Sequence, residues 1–130
     1  NNKERVSFYN SEYAKSHRVE INEREKIRRN NDPLYKMKLN LRSRIRKTII
    51  NKIGNTTDIL GCSYEEVRDY ISNKFIEGMN WGNYGEWHID HIKPLALANT
   101  EKETYELCHY TNLQPLWAIE NLQKGCNNLT

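Results

Sequence analysis

The stretch Trp87-His88-Ile89-Asp90-His91-Ile92-Lys93-Pro94-Leu95 constrains this chain more than any other. Apolar Trp87 and Ile89 alternate with polar His88 and Asp90, the two-residue period of a half-buried strand. On a regular strand Asp90 and His91 point to opposite faces. Both reach one site only if the strand bulges or ends there. Pro94 favours an end, because it cannot donate to a ladder and sits at strand edges. An acidic group beside a neutral base at a strand end is chemistry suited to cleaving a phosphoester. Taken alone, the same residues read equally well as a strand with solvated histidines.

The rest of the chain bears on that choice first through charge. Residues 1–54 hold 15 Lys and Arg against 6 Asp and Glu, and residues 55–130 hold 5 against 11. A net of +9 is thus followed by a net of -6. The first part would meet a polyanion electrostatically. The second would repel one unless a metal or a few placed cations intervened. At 130 residues the chain is one domain with an appended arm, and a hydrophobic content of 37% implies a small core. No apolar run approaches the roughly 20 residues of a membrane span, and no signal-peptide pattern opens the chain. The three cysteines, Cys62, Cys108 and Cys126, are widely spaced with no C-x-x-C pair. An odd count fits a reducing cytoplasm better than a disulfide framework.

In chain order, residues 3–30 are polar, with Val6, Tyr9, Tyr13, Ile21 and Ile27 as scattered anchors. They read as one weakly amphipathic helix extending from the body, solvated unless a partner covers it. Asp32-Pro33 starts a stronger helix, a capping residue followed by proline at the first helical position. Leu34, Met37, Leu41, Ile45 and Ile49 form its apolar stripe. Lys36, Lys38, Arg42, Arg44, Arg46, Lys47 and Lys52 lie between them, with no acid over residues 33–54. Such self-repulsion is costly on an isolated helix, which points to contact with a nucleic-acid backbone. Gly54 is the expected helix end.

Ser63-Tyr64-Glu65-Glu66 is a capping box, followed by a stripe of Val67, Tyr70, Ile71 and Phe75 that Gly78 should terminate. The loop 79–86, holding Trp81 and Tyr84, should pin itself to the core by its aromatics rather than stack on bases. Thr100-Glu101-Lys102-Glu103 opens a short helix. Thr111–Trp117 reads as a second strand with Pro115 at an edge or bulge. Residues 118–125 open a final helix, with Gly125 near its end.

The second half is therefore strand, connection, strand, helix, and it resembles the HNH, or His-Me finger, nuclease family of phages and mobile elements. The resemblance runs from about Ile59 to Gly125. It rests on Leu60-Gly61-Cys62-Ser63, on Trp87 to Leu95, on Tyr110-Thr111-Asn112-Leu113-Gln114-Pro115-Leu116-Trp117, and on Asn121-Leu122-x-Lys124-Gly125. It implies an α+β fold with a ββα-metal core over residues 59–130, preceded by a basic helical, DNA-contacting region over residues 1–58. It implies His91 as general base, Asp90 as metal ligand and Asn121 at the last HNH position, as asparagine in place of histidine. It also implies Asn112 as the middle asparagine that ties the loop and orients the base, and Lys124 as a cation able to touch the phosphate. His88 is either structural or substrate-contacting.

A histidine of near-neutral pKa accepts a proton from water at pH 7. A carboxylate and an amide oxygen suit Mg²⁺ or Mn²⁺, and a lone carboxylate favours one metal over two. The family implies 5′-phosphate and 3′-hydroxyl products from double-stranded DNA. Many of its members are stapled by zinc on two C-x-x-C pairs, which are absent here. The cysteine spacing argues against structural zinc, leaving the cysteines as small hydrophobes. Two other readings stand beside the nuclease: a DNA-binding module with a vestigial centre, and a zinc-stabilised interaction domain.

Overall fold

Asp32 and Pro33 start the helix around which the body is built. In the computed structural model of the protein, residues 1–49 and 54–128 are described, with side chains as far as residue 124. Asp32 Oδ1 accepts from the Tyr35 amide at 3.1 Å, and α3 (Pro33–Thr48) follows. Its apolar stripe buries Met37, Leu41 and Ile45, continued by Ile49 beyond the helix end, with Leu34 half-buried. The helix stops well before Gly54. Thr48, Ile49 and Ile50 are a β-branched run that lowers helix propensity, and Ile49 is already extended at φ -113° and ψ 100°. Lys52 lies outside the described residues.

The expected single N-terminal helix is two, α1 (Asn2–Ser16) and α2 (Arg18–Asn31). His17 breaks them, its ring stacked on Tyr13 at 3.8 Å and its Nδ1 2.9 Å from the Tyr13 carbonyl. Neither helix buries a residue. α2 is tethered to α3 through Tyr35, whose hydroxyl donates to Glu25 and whose ring carries the Arg28 guanidinium at 3.8 Å. The arm is thus α1 and α2. α3, grouped with the arm by its charge, packs into the same core as the second half.

Two short helices bring that core together. α4 (Thr56–Leu60), unanticipated in the sequence, buries Ile59 and Leu60 and ends at Gly61, whose φ of +85° is left-handed. α5 (Tyr64–Ser72) starts where Ser63 Oγ accepts from the Glu66 amide at 3.1 Å, and it buries Val67 and Ile71. It ends at Ser72 rather than near Gly78, because Phe75 turns inward against Trp87 at 5.0 Å between ring centres. Trp81 and Tyr84 also pack on Trp87, at 5.1 and 4.7 Å. The aromatic loop is pinned to the core as its composition suggested. Trp87 is fully buried, and its indole N–H is satisfied by Asn80 O and Asn83 Oδ1 at 2.8 and 2.9 Å.

β1 (Trp87–His91) pairs antiparallel with β2 (Leu113–Trp117) in one two-stranded sheet, with Trp87 opposite Trp117, Asp90 opposite Gln114 and His91 opposite Leu113. Between them lies α6 (Glu101–Leu107), where Thr100 Oγ1 accepts from the Glu103 amide at 3.1 Å. α7 (Ala118–Asn128) leaves β2 without a loop, continues past Gly125 and packs on both strands. The architecture is α+β, helix-rich around a small antiparallel sheet. Among the described residues no helix is long and apolar enough to cross a membrane.

Candidate active site

β1 ends at His91, and that end brings Asp90 and His91 to the same place. Both are 8% exposed, and both line a cleft of about 270 Å³ with Arg44, Asn121 and Lys124, closed on one side by Pro94 and Leu95. Trp87 and Ile89 anchor the strand in the core, so its last two residues are held while the chain beyond turns away.

The turn is held by Asn112. Its Oδ1 accepts from the Lys93 amide at 2.9 Å, and its Nδ2 donates to Lys93 O at 3.0 Å and Leu107 O at 2.8 Å. Its own carbonyl accepts from Ile92 N at 2.8 Å. One side chain, in the short turn before β2, thereby joins the exit of β1 to the end of α6. Asn112 acts on the loop two residues past His91 and lies outside the cleft lining.

Asp90 is gripped from two elements. Gln114, its partner across the sheet, donates to Oδ2 at 3.0 Å, and Lys124 from α7 donates to the same oxygen at 2.6 Å. The Lys124 ammonium also reaches His91 O at 2.7 Å and Ile92 O at 3.1 Å. All three of its protons have oxygen acceptors. Lys124, the cation able to touch a phosphate in the family, here binds Asp90 and the end of β1. Asn121, one helical turn earlier on α7, enters the same cleft. Gln114 was not singled out in the sequence; its role follows from its place opposite Asp90 in the sheet.

Arg44 crosses from α3. Its guanidinium donates to Ile89 O at 2.8 Å and stands 3.4 Å from His91 Nδ1. A guanidinium only donates, so we assign the lone pair to Nδ1 and the ring proton to Nε2. Burial lowers the His91 pKa from 6.5 to about 4, helped by the Arg44 and Lys124 charges and opposed by Asp90. The pKa thus lies below the near-neutral value expected from the sequence, which leaves the imidazole a weaker base and unprotonated at pH 7.

The other α3 cations divide. Lys36 donates to Tyr84 O at 3.2 Å and lies over the Tyr84 ring at 4.9 Å, so the protein itself engages it. Arg42, Arg46 and Lys47 are exposed. His88, on the opposite side of Arg44 from the cleft, lines a second groove with Lys47.

The donor set of the cleft is hard oxygen: the Asp90 carboxylate and the Asn121 amide. The Lys124 ammonium already rests there on the carboxylate and two carbonyls, so a metal ion on Asp90 would have to displace it. This chemistry fits a Mg²⁺ or Mn²⁺ ion that takes its remaining ligands from water and phosphate. Among the described residues no group of three His, Cys, Asp or Glu side chains gathers for a metal. Cys108 is fully buried in the core and Cys62 packs against it.

Two proteins of Acanthamoeba polyphaga mimivirus are similar in sequence. One is 36% identical over 104 residues, covering 77% of this chain and 46% of its own length. The other is 37% identical over 116 residues, covering 84% and 50%. Both are described as uncharacterized. The chain spans about half the length of these curated relatives. No family model and no solved structure matches it.

Proposed function

We propose that this chain is a metal-dependent DNA endonuclease that hydrolyses phosphodiester bonds with His91 as general base and one divalent ion. The observation that carries the reading is the convergence of the Asp90 carboxylate, the His91 imidazole and the Arg44 guanidinium on one open cleft. The ordered resemblance to HNH nucleases adds to it.

In this reading a phosphate of duplex DNA enters the cleft and Arg44 turns from His91 Nδ1 towards it, since a charged acceptor outcompetes a 3.4 Å contact. The Nδ1 lone pair then faces water. As the water oxygen bonds to phosphorus, His91 takes its proton, the bond from phosphorus to the 3′ oxygen breaks, and the departing oxygen takes a proton from solvent, leaving 5′-phosphate and 3′-hydroxyl ends. The phosphate's negative charge raises the His91 pKa towards the working pH, where a general base is most effective. A divalent cation on Asp90 and Asn121 would neutralise charge on the phosphoryl oxygens and the leaving oxygen. Gln114 holds the carboxylate in place, and Asn112 holds the loop that shapes the cleft.

A specific contact favours a second reading, a DNA-binding module with a vestigial centre: Lys124 already neutralises Asp90 at 2.6 Å. Supercoiled plasmid incubated with Mg²⁺, Mn²⁺ or EDTA separates the two. The endonuclease nicks or linearises it with metal, and His91→Ala loses about 10²–10⁴-fold in rate while still binding DNA. Unchanged plasmid with retained binding would establish the module instead. Asp90→Ala should weaken Mn²⁺ binding by calorimetry, and unaltered Mn²⁺ affinity would move the metal from this cleft.

A further inference from the structure

A second cavity lies against the first, and among the described residues Arg44 alone lines both. It is a groove of about 320 Å³ between α3 and β1. Its floor is Leu41 and Ile89, and its rim carries Arg44 and Lys47 from α3, His88 from β1 and the Tyr84 ring. Among the described residues no carboxylate lines it. Its two cations both come from α3, in the part of the chain with net charge +9.

The donors at its rim are arranged rather than merely present. Asn40 Nδ2 donates to the Tyr84 hydroxyl at 3.0 Å, so that hydroxyl is left to donate outward. The Lys36 ammonium stands 4.9 Å from the centre of the Tyr84 ring and donates to the Tyr84 carbonyl at 3.2 Å. Two permanent cations, a phenol hydroxyl and an imidazole around an apolar floor suit an anion carried on an organic body, not a bare ion.

The position of the groove names the anion. His88 and Asp90 are two residues apart on an extended strand, roughly 7 Å, the scale of one nucleotide step along a strand. We propose that the groove is a second phosphate site, which binds the backbone phosphate neighbouring the one in the His91 cleft, with Lys47 and His88 as its contacts and Arg44 between the two phosphates. The sugar and base edge that link them rest on Leu41, Ile89 and Tyr84. The anion site stands on the groove's own chemistry; its place next to a scissile phosphate rests on the endonuclease reading.

The test is binding by the full chain in EDTA, so that no cleavage is needed. Thymidine 3′,5′-bisphosphate, with two phosphates one nucleoside apart, is compared with thymidine 5′-monophosphate by calorimetry. The wild type should bind the bisphosphate about tenfold tighter, the gain of one added charge-assisted contact. Lys47→Gln combined with His88→Gln should erase that advantage and leave the monophosphate affinity in place, whereas His91→Gln should keep the advantage. Lys47 is exposed, so Lys47→Glu alone, made without risk to the core, should also reduce it. Equal binding of the two ligands by the wild type overturns the proposal, as does an advantage that survives the double variant. If the advantage is present and groove-dependent while plasmid remains uncut, the site stands and the nuclease reading falls. If plasmid is cut by a protein with no bisphosphate preference, the nuclease reading stands and the second phosphate site falls.

Discussion

Lowering the pH from about 7 to about 5 should destabilise the folded protein by about 2 kcal/mol through His91 alone. In the unfolded chain this histidine titrates at its ordinary 6.5, and in the folded protein burial and the neighbouring cations bring it to about 4. Above 6.5 both states are neutral there, and stability is unaffected. Between 6.5 and 4 the unfolded chain binds the proton and the folded one does not, so stability falls as pH falls. Below about 4 both are protonated and the loss levels off near 3 kcal/mol, at 1.36 kcal/mol for each pKa unit. Urea unfolding at the two pH values measures the change, and the same pair of curves for His91→Gln removes this contribution. Subtracting them cancels whatever the two proteins share and leaves the contribution of His91. If the wild type and His91→Gln lose the same stability between the two pH values, the imidazole is not held neutral and the assignment of its lone pair fails.

Trp87→Ala should cost about 3–5 kcal/mol in urea unfolding, because it empties the centre of the aromatic cluster; a loss below about 1 kcal/mol would mean that the loop repacks freely. Asn112→Ala should cost about 1–3 kcal/mol, since it strands the Lys93 amide and two carbonyls. Its hydrogen exchange should quicken at Lys93 while the α3 amides stay protected; uniform quickening would show a global role instead. In DNA binding, Lys47→Gln should flatten the log–log salt slope by about 0.9. Arg42→Gln with Arg46→Gln should flatten it less, as these two lie round the far side of α3 from the groove at about 100° per residue. The reverse order would put the duplex on the outer face of α3.

Local signals carried the elements whose cause is local. Asp32-Pro33, Ser63-x-x-Glu66 and Thr100-x-x-Glu103 each placed a helix start, because a cap is satisfied by backbone within three residues. The stripe of Met37, Leu41 and Ile45 placed the buried face of α3, because helical spacing is a property of the segment itself. Helix ends were less legible. α3 stops at Thr48 and α5 at Ser72, where Ile49 and Phe75 leave the helix to bury themselves in a core assembled from distant segments. A glycine farther on could not reveal that.

The candidate site divides in the same way. Asp90, His91, Asn112, Asn121 and Lys124 stand out through the resemblance to HNH nucleases, and β1 ends at His91 as Pro94 suggests. What each side chain touches was decided by packing. Lys124 rests on Asp90 because α7 leaves β2 without a loop and lies along both strands. Helical spacing already parts Arg44 from Arg42 and Arg46, but its guanidinium meets Ile89 O only because the buried stripe of α3 docks into the same core as β1. The depressed pKa of His91 has no trace in the sequence, since desolvation and the nearness of two cations exist only once three separate segments close around the imidazole.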